Sequence, residues 1–169
     1  MKKAILIVIL VICGAIAAYT FYESWRLQDP AYQRERTLNT GMLDVPLDQR
    51  RVVNLDQFMA QTRPRKEGTR EIVRPDGIQF VAAIKAVPEK IEVKYVYKAF
   101  EIMEVNPLPN VNHQMFLETS GGEIYAVYVW DDAVDAMNAA GVTGSQIQFA
   151  GFHVYTRAKG PAIIVDAVI

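Results

Sequence analysis

From residue 78 to residue 169, apolar side chains recur with a period close to two in four stretches of the sequence. The stretches are residues 78–87, 91–105, 113–130 and 145–169. A period of two places alternate side chains on opposite faces of a β-strand, so one face can be buried while the other meets solvent. The sequence therefore predicts a mainly β head over residues 77–169.

Turn residues divide these stretches into strands. Residues 78–87 are expected to form one strand. Residues 91–105 are expected to form a second, long strand, in which the alternation changes phase near the middle, as a β-bulge would produce. Ser120-Gly121-Gly122 marks the loop of a first hairpin, and Ala158-Lys159-Gly160 marks that of a second. Gly151, within the second hairpin, is expected to be a bulge or bend.

A short stretch between the two hairpins has helical periodicity. Residues 131–141 read DDAVDAMNAAG, in which Asp131 is the expected N-cap and Gly141 the expected stop. Asp132 and Asp135 lie in the first turn, where the helix dipole favours negative charge. The same three carboxylates are the candidates for a hard-cation site. Capping explains them better, because a helix begins here instead of an oxygen-rich loop.

The order of these elements resembles that of OB-fold domains. Three strands, a short helix and two strands follow one another, and GSQIQFAGFHVYTRAKGPAIIVDAVI has the glycine, alternating strand, turn and closing strand of that fold. The resemblance covers residues 78–169 and implies a small OB-like β-barrel with one short helix. An anchored OB-fold also resembles the haem chaperone of c-type cytochrome maturation. That family's haem-binding histidine and tyrosine, four residues apart, have no counterpart here, so we expect no cofactor.

The N-terminus, MKKAILIVILVICGAIAAYTFYESW, has the pattern of a transmembrane anchor over residues 1–25. The apolar run from residue 4 to residue 22 would extend about 28 Å as a helix, close to the thickness of a bilayer core. Lysines precede the run and aromatic residues follow it. These membrane-interface candidates are Lys2, Lys3, Tyr19, Phe21, Tyr22 and Trp25. By the positive-inside rule the N-terminus is cytoplasmic and the head is periplasmic.

Two other interpretations of the N-terminal segment stay open. Ala15-Ile16-Ala17 fits the small-residue rule for cleavage of a signal peptide after Ala17. Cys13 could carry a lipid, although Ile12 stands where a small residue is expected. All three interpretations place the head outside the bacterial cytoplasm. Because Cys13 is the only cysteine, the head has no disulfide and no thiolate metal site.

Residues 26–76 are polar and interrupted by proline and glycine, which predicts a stalk or linker. One short helix is expected near residues 54–61, with Asn54 as N-cap and Gln57 in the position of a capping box. The apolar face of this helix and the basic loop behind it are the expected partner contacts, namely Leu55, Phe58, Met59, Arg63, Arg65 and Lys66. The basic residues suit anionic lipid or an acidic partner. A solvated linker is the simpler explanation.

Charge and the missing motifs limit the function. Residues 77–169 carry six Lys and Arg against ten Asp and Glu, which disfavours nucleic acid as a partner. The chain has no phosphate-binding loop, dinucleotide fingerprint or zinc-protease motif, and His113 and His153 are expected to be structural. We therefore expect no catalytic site.

The expected function is that of an accessory or assembly subunit of a membrane protein complex. The chain would be single-pass in a bacterial inner membrane and would bind other membrane or periplasmic proteins. The first alternative is a periplasmic carrier of a small ligand or metal cation, with its site at the barrel mouth or near the acidic helix. The second is a hydrolase whose site is assembled from scattered residues.

Overall fold

The computed structural model describes residues 18, 19, 22, 41–141 and 144–169. The chain divides into two compact units, residues 1–38 and residues 39–169. Tyr19 and Tyr22 are helical and exposed, whereas the other predicted membrane-interface residues, Lys2, Lys3, Phe21 and Trp25, lie outside the described residues. Among the described residues, no helix has the length and apolarity needed to cross a bilayer.

The second unit is mainly β. Its strands are β1 (Arg51–Val52), β2 (Glu71–Lys90), β3 (His113–Glu118), β4 (Ile124–Val129), β5 (Ile147–Arg157) and β6 (Gly160–Val168). Its α-helices are α1 (Leu55–Gln61), α2 (Lys94–Ile102) and α3 (Val134–Ala140), and single 3₁₀ turns cover Leu47–Gln49 and Asp131–Ala133.

The six strands form one sheet, in which five strands close a ring. The strand order is β1-β2-β3-β4-β6-β5, and β5 pairs again with β2. Within the ring, β4 and β6 are parallel and the other pairs are antiparallel. β2 reaches two neighbours because residues 71–82 pair with β5 and residues 83–90 pair with β3. The prediction of a mainly β head with a partly closed sheet is therefore confirmed.

Apolar side chains fill the inside of the ring. Ile78, Phe80, Ala82 and Ile84 alternate along β2 and are each at most 2% exposed, as the period of two predicts. They pack against buried residues of the other strands and against two helices. Asp56 of α1 interacts with Tyr125 near the start of β4. Along the chain, α3 begins shortly after β4 ends. The interior of the ring is thus a packed core.

A second apolar cluster lies outside the ring, between α2 and the outer face of β5 and β6. Val96, Ala99 and Phe100 are fully buried there. The predicted strand at residues 91–105 is therefore wrong, because α2 occupies its centre. The spacing of these three residues, i, i+3 and i+4, is helical. The change of phase in the alternation of residues 91–105 therefore comes from this helical repeat and not from a β-bulge.

Both predicted hairpins are confirmed, together with the bulge at Gly151. β3 and β4 form the first hairpin, and β5 and β6 form the second. The pairing of β5 with β6 shifts between Ala150 and Gly151. A Cβ at Gly151 would overlap the carbonyl oxygen of Ile164. Glycine is required here because the two backbones approach too closely for a side chain.

The described part of the predicted stalk, residues 41–76, belongs to the same compact unit as the ring. β1 pairs in parallel with β2, and β2 begins at Glu71. The predicted boundary at residue 76 therefore falls inside a strand. Pro75 and a pairing shift before Asp76 interrupt the alternation at this point, which is why the period of two begins later in the sequence than the strand does.

The helix predicted near residues 54–61 is confirmed as α1. The Asn54 side chain accepts a hydrogen bond from the Gln57 backbone N–H at 3.0 Å, as an N-cap does. The apolar face of α1 packs into the ring, however, and is not open at the surface as predicted. Leu55, Phe58 and Met59 are buried in the core of the ring, because the apolar end of the ring is the nearest surface that can bury them.

Arg50 attaches the segment before β1 to the ring. Its guanidinium forms two hydrogen bonds with the Asp166 carboxylate on β6, at 2.6 and 2.8 Å, and its Nε donates to the Val45 carbonyl oxygen. The guanidinium also lies 4.4 Å from the centre of the Phe152 ring. The Arg50 side chain is only 6% exposed. Removing one partner of such a pair leaves the other charge buried and unpaired.

We expect Arg50→Ala to lower the free energy of unfolding by about 3 kcal/mol or more, because Asp166 loses its counter-charge. Arg51→Ala is the matched control. Arg51 pairs with Asp76 at the surface, where the two side chains are 57% and 43% exposed, and an exposed pair contributes about 0–1 kcal/mol. Urea unfolding of the two full-length variants measures the difference. If both variants lost the same free energy of unfolding, this would contradict the role of Arg50 in attaching the segment before β1 to the ring.

Candidate functional site

A groove of about 410 Å³ lies beside the end of β1. β1 pairs with β2 at Ile78 and Gln79, and β3 joins β2 from Ala83 onward, so a gap of a few residues opens on this side of β2. The groove, called the β1 groove below, is lined by Val52, Val53, Asn54, Leu55, Asp56, Phe80, Val81, Thr119, Ser120, Gln146 and Gln148. A second depression of about 390 Å³ shares Thr119, Ser120 and Gln146 with it, which extends the groove past the β3–β4 turn.

The β1 groove combines exposed apolar side chains with neutral polar ones. Val52 and Val81 are 73% and 51% exposed. Among the lining residues, Asp56 is the single ionisable one, and the other polar groups are carboxamides and hydroxyls. β1 has no strand on its outer edge within the described part of the chain. An open strand edge beside such a groove suits an extended peptide.

Asp56 connects α1 to the β3–β4 turn at one side of the β1 groove. One carboxylate oxygen lies so close to Gly121 that a Cβ there would approach it to 2.8 Å. Burial, followed by a hydrogen bond with Asp56, raises the pKa of Tyr125, so the Tyr125 hydroxyl stays protonated and donates to the carboxylate. The other oxygen, Oδ1, is buried and has no hydrogen-bond partner among the described residues. Asp56 thus fixes this wall and makes it negative.

A loop pocket of about 490 Å³ lies beside the connection from α2 to β3. Its walls are mainly apolar, and its rim carries two carboxylates; the lining residues are Leu43, Asp44, Val105, Pro107, Leu108, Pro109, Asn110, Trp130 and Asp132. Leu108 is 49% exposed. Apolar walls with negative charge at the rim suit a small organic cation.

Asp131 holds the loop before β3 and does not cap the helix that follows it. Its carboxylate accepts hydrogen bonds from the backbone N–H and the side-chain amide of Asn112, at 2.9 and 2.8 Å, and Nδ1 of His113 lies 2.9 Å away. No side chain caps the Asp131–Ala133 turn or α3. The predicted N-cap is therefore wrong, whereas the helix and its stop at Gly141, where φ is 69°, are confirmed.

The acidic residues around α3 are not arranged as a metal site. Burial alone would raise the pKa of Asp131, but the hydrogen bonds from Asn112 and His113 outweigh burial and hold the pKa below its ordinary value. The carboxylate is therefore ionised and already engaged by three donors. Asp132 and Asp135 are exposed. No group of three His, Cys, Asp or Glu within the described residues could hold a metal ion.

The contacts of both histidines agree with the expectation that they are structural. His153 is buried between β5 and α1, where its ring packs edge-on against Phe58 at 5.5 Å and Nε2 lies 2.9 Å from Thr156 Oγ1. Burial lowers the pKa of His153, so the ring is neutral at pH 7. His113 is engaged by Asp131.

A basic face lies where the loop after α1 meets the β5–β6 turn. Nη1 of Arg63 donates to the Met59 carbonyl oxygen at 2.7 Å, and a Cβ at Gly160 would approach the same nitrogen to 3.0 Å. The loop is thus held against the turn. The basic face consists of Arg63, Arg65, Lys66, Arg70, Arg157 and Lys159, and the acidic residues Glu67 and Glu71 lie among them.

The predicted partner residues Arg63, Arg65 and Lys66 are exposed on this face. The structure adds Arg70, Arg157 and Lys159, which the sequence did not indicate because Arg157 and Lys159 lie far from the basic loop along the chain. The pairing of β2 with β5 and the contact of Arg63 with Gly160 bring the two segments together.

No protein family, no curated protein and no solved structure significantly matches this chain.

We expect Asp131→Asn to lower the free energy of unfolding by about 2 kcal/mol at pH 7, because an amide cannot accept from all three donors. Asp132→Asn, at the exposed neighbour, should change it by about 0.5 kcal/mol or less. Because folding lowers the pKa of Asp131, its stabilisation is complete above the ordinary value of 3.8 and is lost as the pH falls through the folded-state pKa.

Chemical unfolding of the wild type and both variants across this acid range measures the effect. The difference between the wild type and Asp131→Asn should shrink as the pH falls. A difference that does not change with pH would contradict the assignment of three hydrogen bonds to the ionised carboxylate.

Proposed function

We propose that this chain is a non-enzymatic accessory or assembly subunit of a membrane protein complex. Residues 1–25 would be a single-pass anchor in a bacterial inner membrane, and residues 41–169 a periplasmic binding head. The apolar run with lysines before it and aromatic residues after it supports the anchor. The chemistry of the β1 groove supports a binding role for the head.

We further propose that the ring is an OB-like barrel. Around the ring the order is β2-β3-β4-β6-β5. Along the chain, α3 comes between β4 and β5. This is the arrangement of a five-stranded Greek-key barrel whose helix follows the third strand. OB-folds bind partners on an outer face and through loops, which is compatible with an interior filled by side chains. Because this fold serves many functions, the particular groove matters more than the fold.

The open edge of β1 is the observation that carries the proposal. The Val53 backbone N–H donates to the Gln79 carbonyl oxygen at 2.8 Å and so points towards β2. Because successive N–H groups of a strand alternate in direction, the N–H of Val52 points towards the open edge. An extended segment of a partner protein would pair with this edge and place its side chains against Val52, Val81 and the carboxamides of the groove.

A second candidate function, a periplasmic carrier, is favoured by the loop pocket. Its apolar walls and its two rim carboxylates, Asp44 and Asp132, suit a small organic cation better than a metal ion. A small molecule released when the purified full-length protein is denatured, and identified by mass spectrometry, would favour the carrier over the subunit.

We expect Val52→Pro to remove the partner proteins that co-purify with the tagged full-length chain. Proline deletes the outward N–H of Val52 and leaves the bond from Val53 to Gln79 in place, as proline on an edge strand does. Val52→Thr, which keeps the N–H and the β-branched shape, is the matched control and should retain the partners. The measurement is gentle detergent extraction from native membranes followed by mass spectrometry, with thermal unfolding to verify that both variants fold.

The same preparation tests the anchor. An uncut chain that needs detergent to leave the membrane fraction supports it. A chain trimmed after Ala17 and soluble without detergent would contradict the anchor, and partners retained by Val52→Pro would contradict the role of the β1 edge.

A further inference from the structure

Two arginines of the basic face flank the same residue pair of β2 and β5. Arg70 precedes Glu71, which pairs with Thr156 across β2 and β5, and Arg157 follows Thr156. Within the described part of the chain, neither arginine forms an ion pair, whereas Arg65 pairs with Glu71 at 3.1 Å. Like charges on neighbouring strands repel, so the arrangement is unfavourable unless an anion neutralises it.

The Arg157 guanidinium also has a buried donor without an acceptor. Its Nε is shielded from solvent and has no hydrogen-bond partner among the described residues. A buried donor is normally satisfied. Because the shielded Nε is closed to solvent and ligand alike, an anion would bind the other guanidinium nitrogens of Arg157, which are not among the buried unpaired atoms. Arg70 is held by stacking, with its guanidinium carbon 4.1 Å from the centre of the Tyr95 ring. Stacking uses the face of the guanidinium and leaves its in-plane N–H donors available.

Two tyrosine hydroxyls belong to the aromatic cluster on which Arg70 stacks. Tyr155 packs 5.0 Å from Tyr95, and its hydroxyl lies 3.1 Å from that of Tyr128. One hydroxyl donates to the other, so one O–H remains for a further acceptor. Burial and the Tyr128 hydroxyl raise the pKa of Tyr155, while the charges of Arg157 and Arg70 act to lower it. The Tyr155 hydroxyl therefore stays protonated.

We propose that Arg70 and Arg157, supported by Tyr95 and Tyr155, bind the phosphate group of an anionic lipid headgroup. Guanidinium N–H donors match phosphate oxygens in geometry and charge.

The lipid surface is the favoured source of this phosphate for two reasons. Arg65, Lys66 and Lys159 add exposed charges to the basic face, as on surfaces that meet many headgroups at once. The inference also rests on the proposed anchor, which would hold the head at a bilayer.

The test is a calorimetric titration of the full-length protein in neutral detergent micelles at constant ionic strength. The ligands are short-chain phosphatidylglycerol, short-chain phosphatidylcholine, inorganic phosphate and a glutamate-rich peptide. We expect phosphatidylglycerol to bind tightest. Arg70→Gln or Arg157→Gln should weaken this binding by about tenfold, as the loss of a charge-assisted hydrogen bond does.

Lys90→Gln is the matched control. It removes the same charge from an exposed residue at the other end of β2, and it should leave the affinity unchanged. If Arg157→Gln does not fold, the exposed Arg70 carries the test alone.

Three results would overturn the proposal. The first is equal affinity of the wild type and the arginine variants for phosphatidylglycerol. The second is inorganic phosphate binding as tightly as phosphatidylglycerol, which would identify a free anion as the ligand. The third is tighter binding of the glutamate-rich peptide, which would identify an acidic protein. Because titration in micelles does not depend on residues 1–25, failure of this site is distinguishable from failure of the anchor, which intact mass and the need for detergent decide.

Discussion

The pairing of β2 with two neighbours is the constraint on which the rest of the structure depends. Its first half pairs with β5 and its second half with β3, so the sheet bends back on itself and encloses the alternating apolar side chains of β2. The ends of the ring then need apolar cover, which α1 and α3 supply. The same pairing produces the β1 groove, because β3 joins β2 only from Ala83 and the short β1 leaves the preceding gap unfilled.

The period of two predicted β2 and both hairpins correctly, including β5 and β6, which are buried on both faces. It failed at α2 because this helix makes contacts on more than one side. Val96 and Phe100 pack on the outer face of the ring. Tyr95 stacks on Tyr155, and the Tyr97 hydroxyl accepts from the Val111 backbone N–H. Because apolar residues lie on several sides of this helix, the sequence also fits a strand with a change of phase. Only the packing distinguishes the helix from the strand.

Local rules predicted the candidate sites only where the interacting residues are neighbours in sequence. Asn54 caps α1 as its motif indicates, and the consecutive charges of the loop after α1 do form part of an exposed basic face. Asp131 has the same cap-like position, but three donors from Asn112 and His113, at the start of β3, outcompete a single helix N–H. Arg50 with Asp166, and Arg70 with Arg157, come together only through ring closure, and no spacing in the sequence indicates them.

The two proposed surfaces of the head, the β1 groove and the basic face, differ in their electrostatics. The β1 groove suits recognition of a partner, whereas the exposed charges of the basic face suit orientation of the head. The β1 groove has one carboxylate among neutral groups, so backbone and carboxamide hydrogen bonds would dominate there and would depend little on salt. The exposed lysines and arginines of the basic face act over a distance that salt limits to about 8–10 Å; they can turn the head towards an anionic surface without selecting a ligand. Arg157 is half-buried whereas the other members of the basic face are exposed, so salt screens Arg157 less than it screens them. Arg157 would therefore supply the part of lipid binding that persists at high salt, and the exposed charges, Arg70 among them, the part that salt removes.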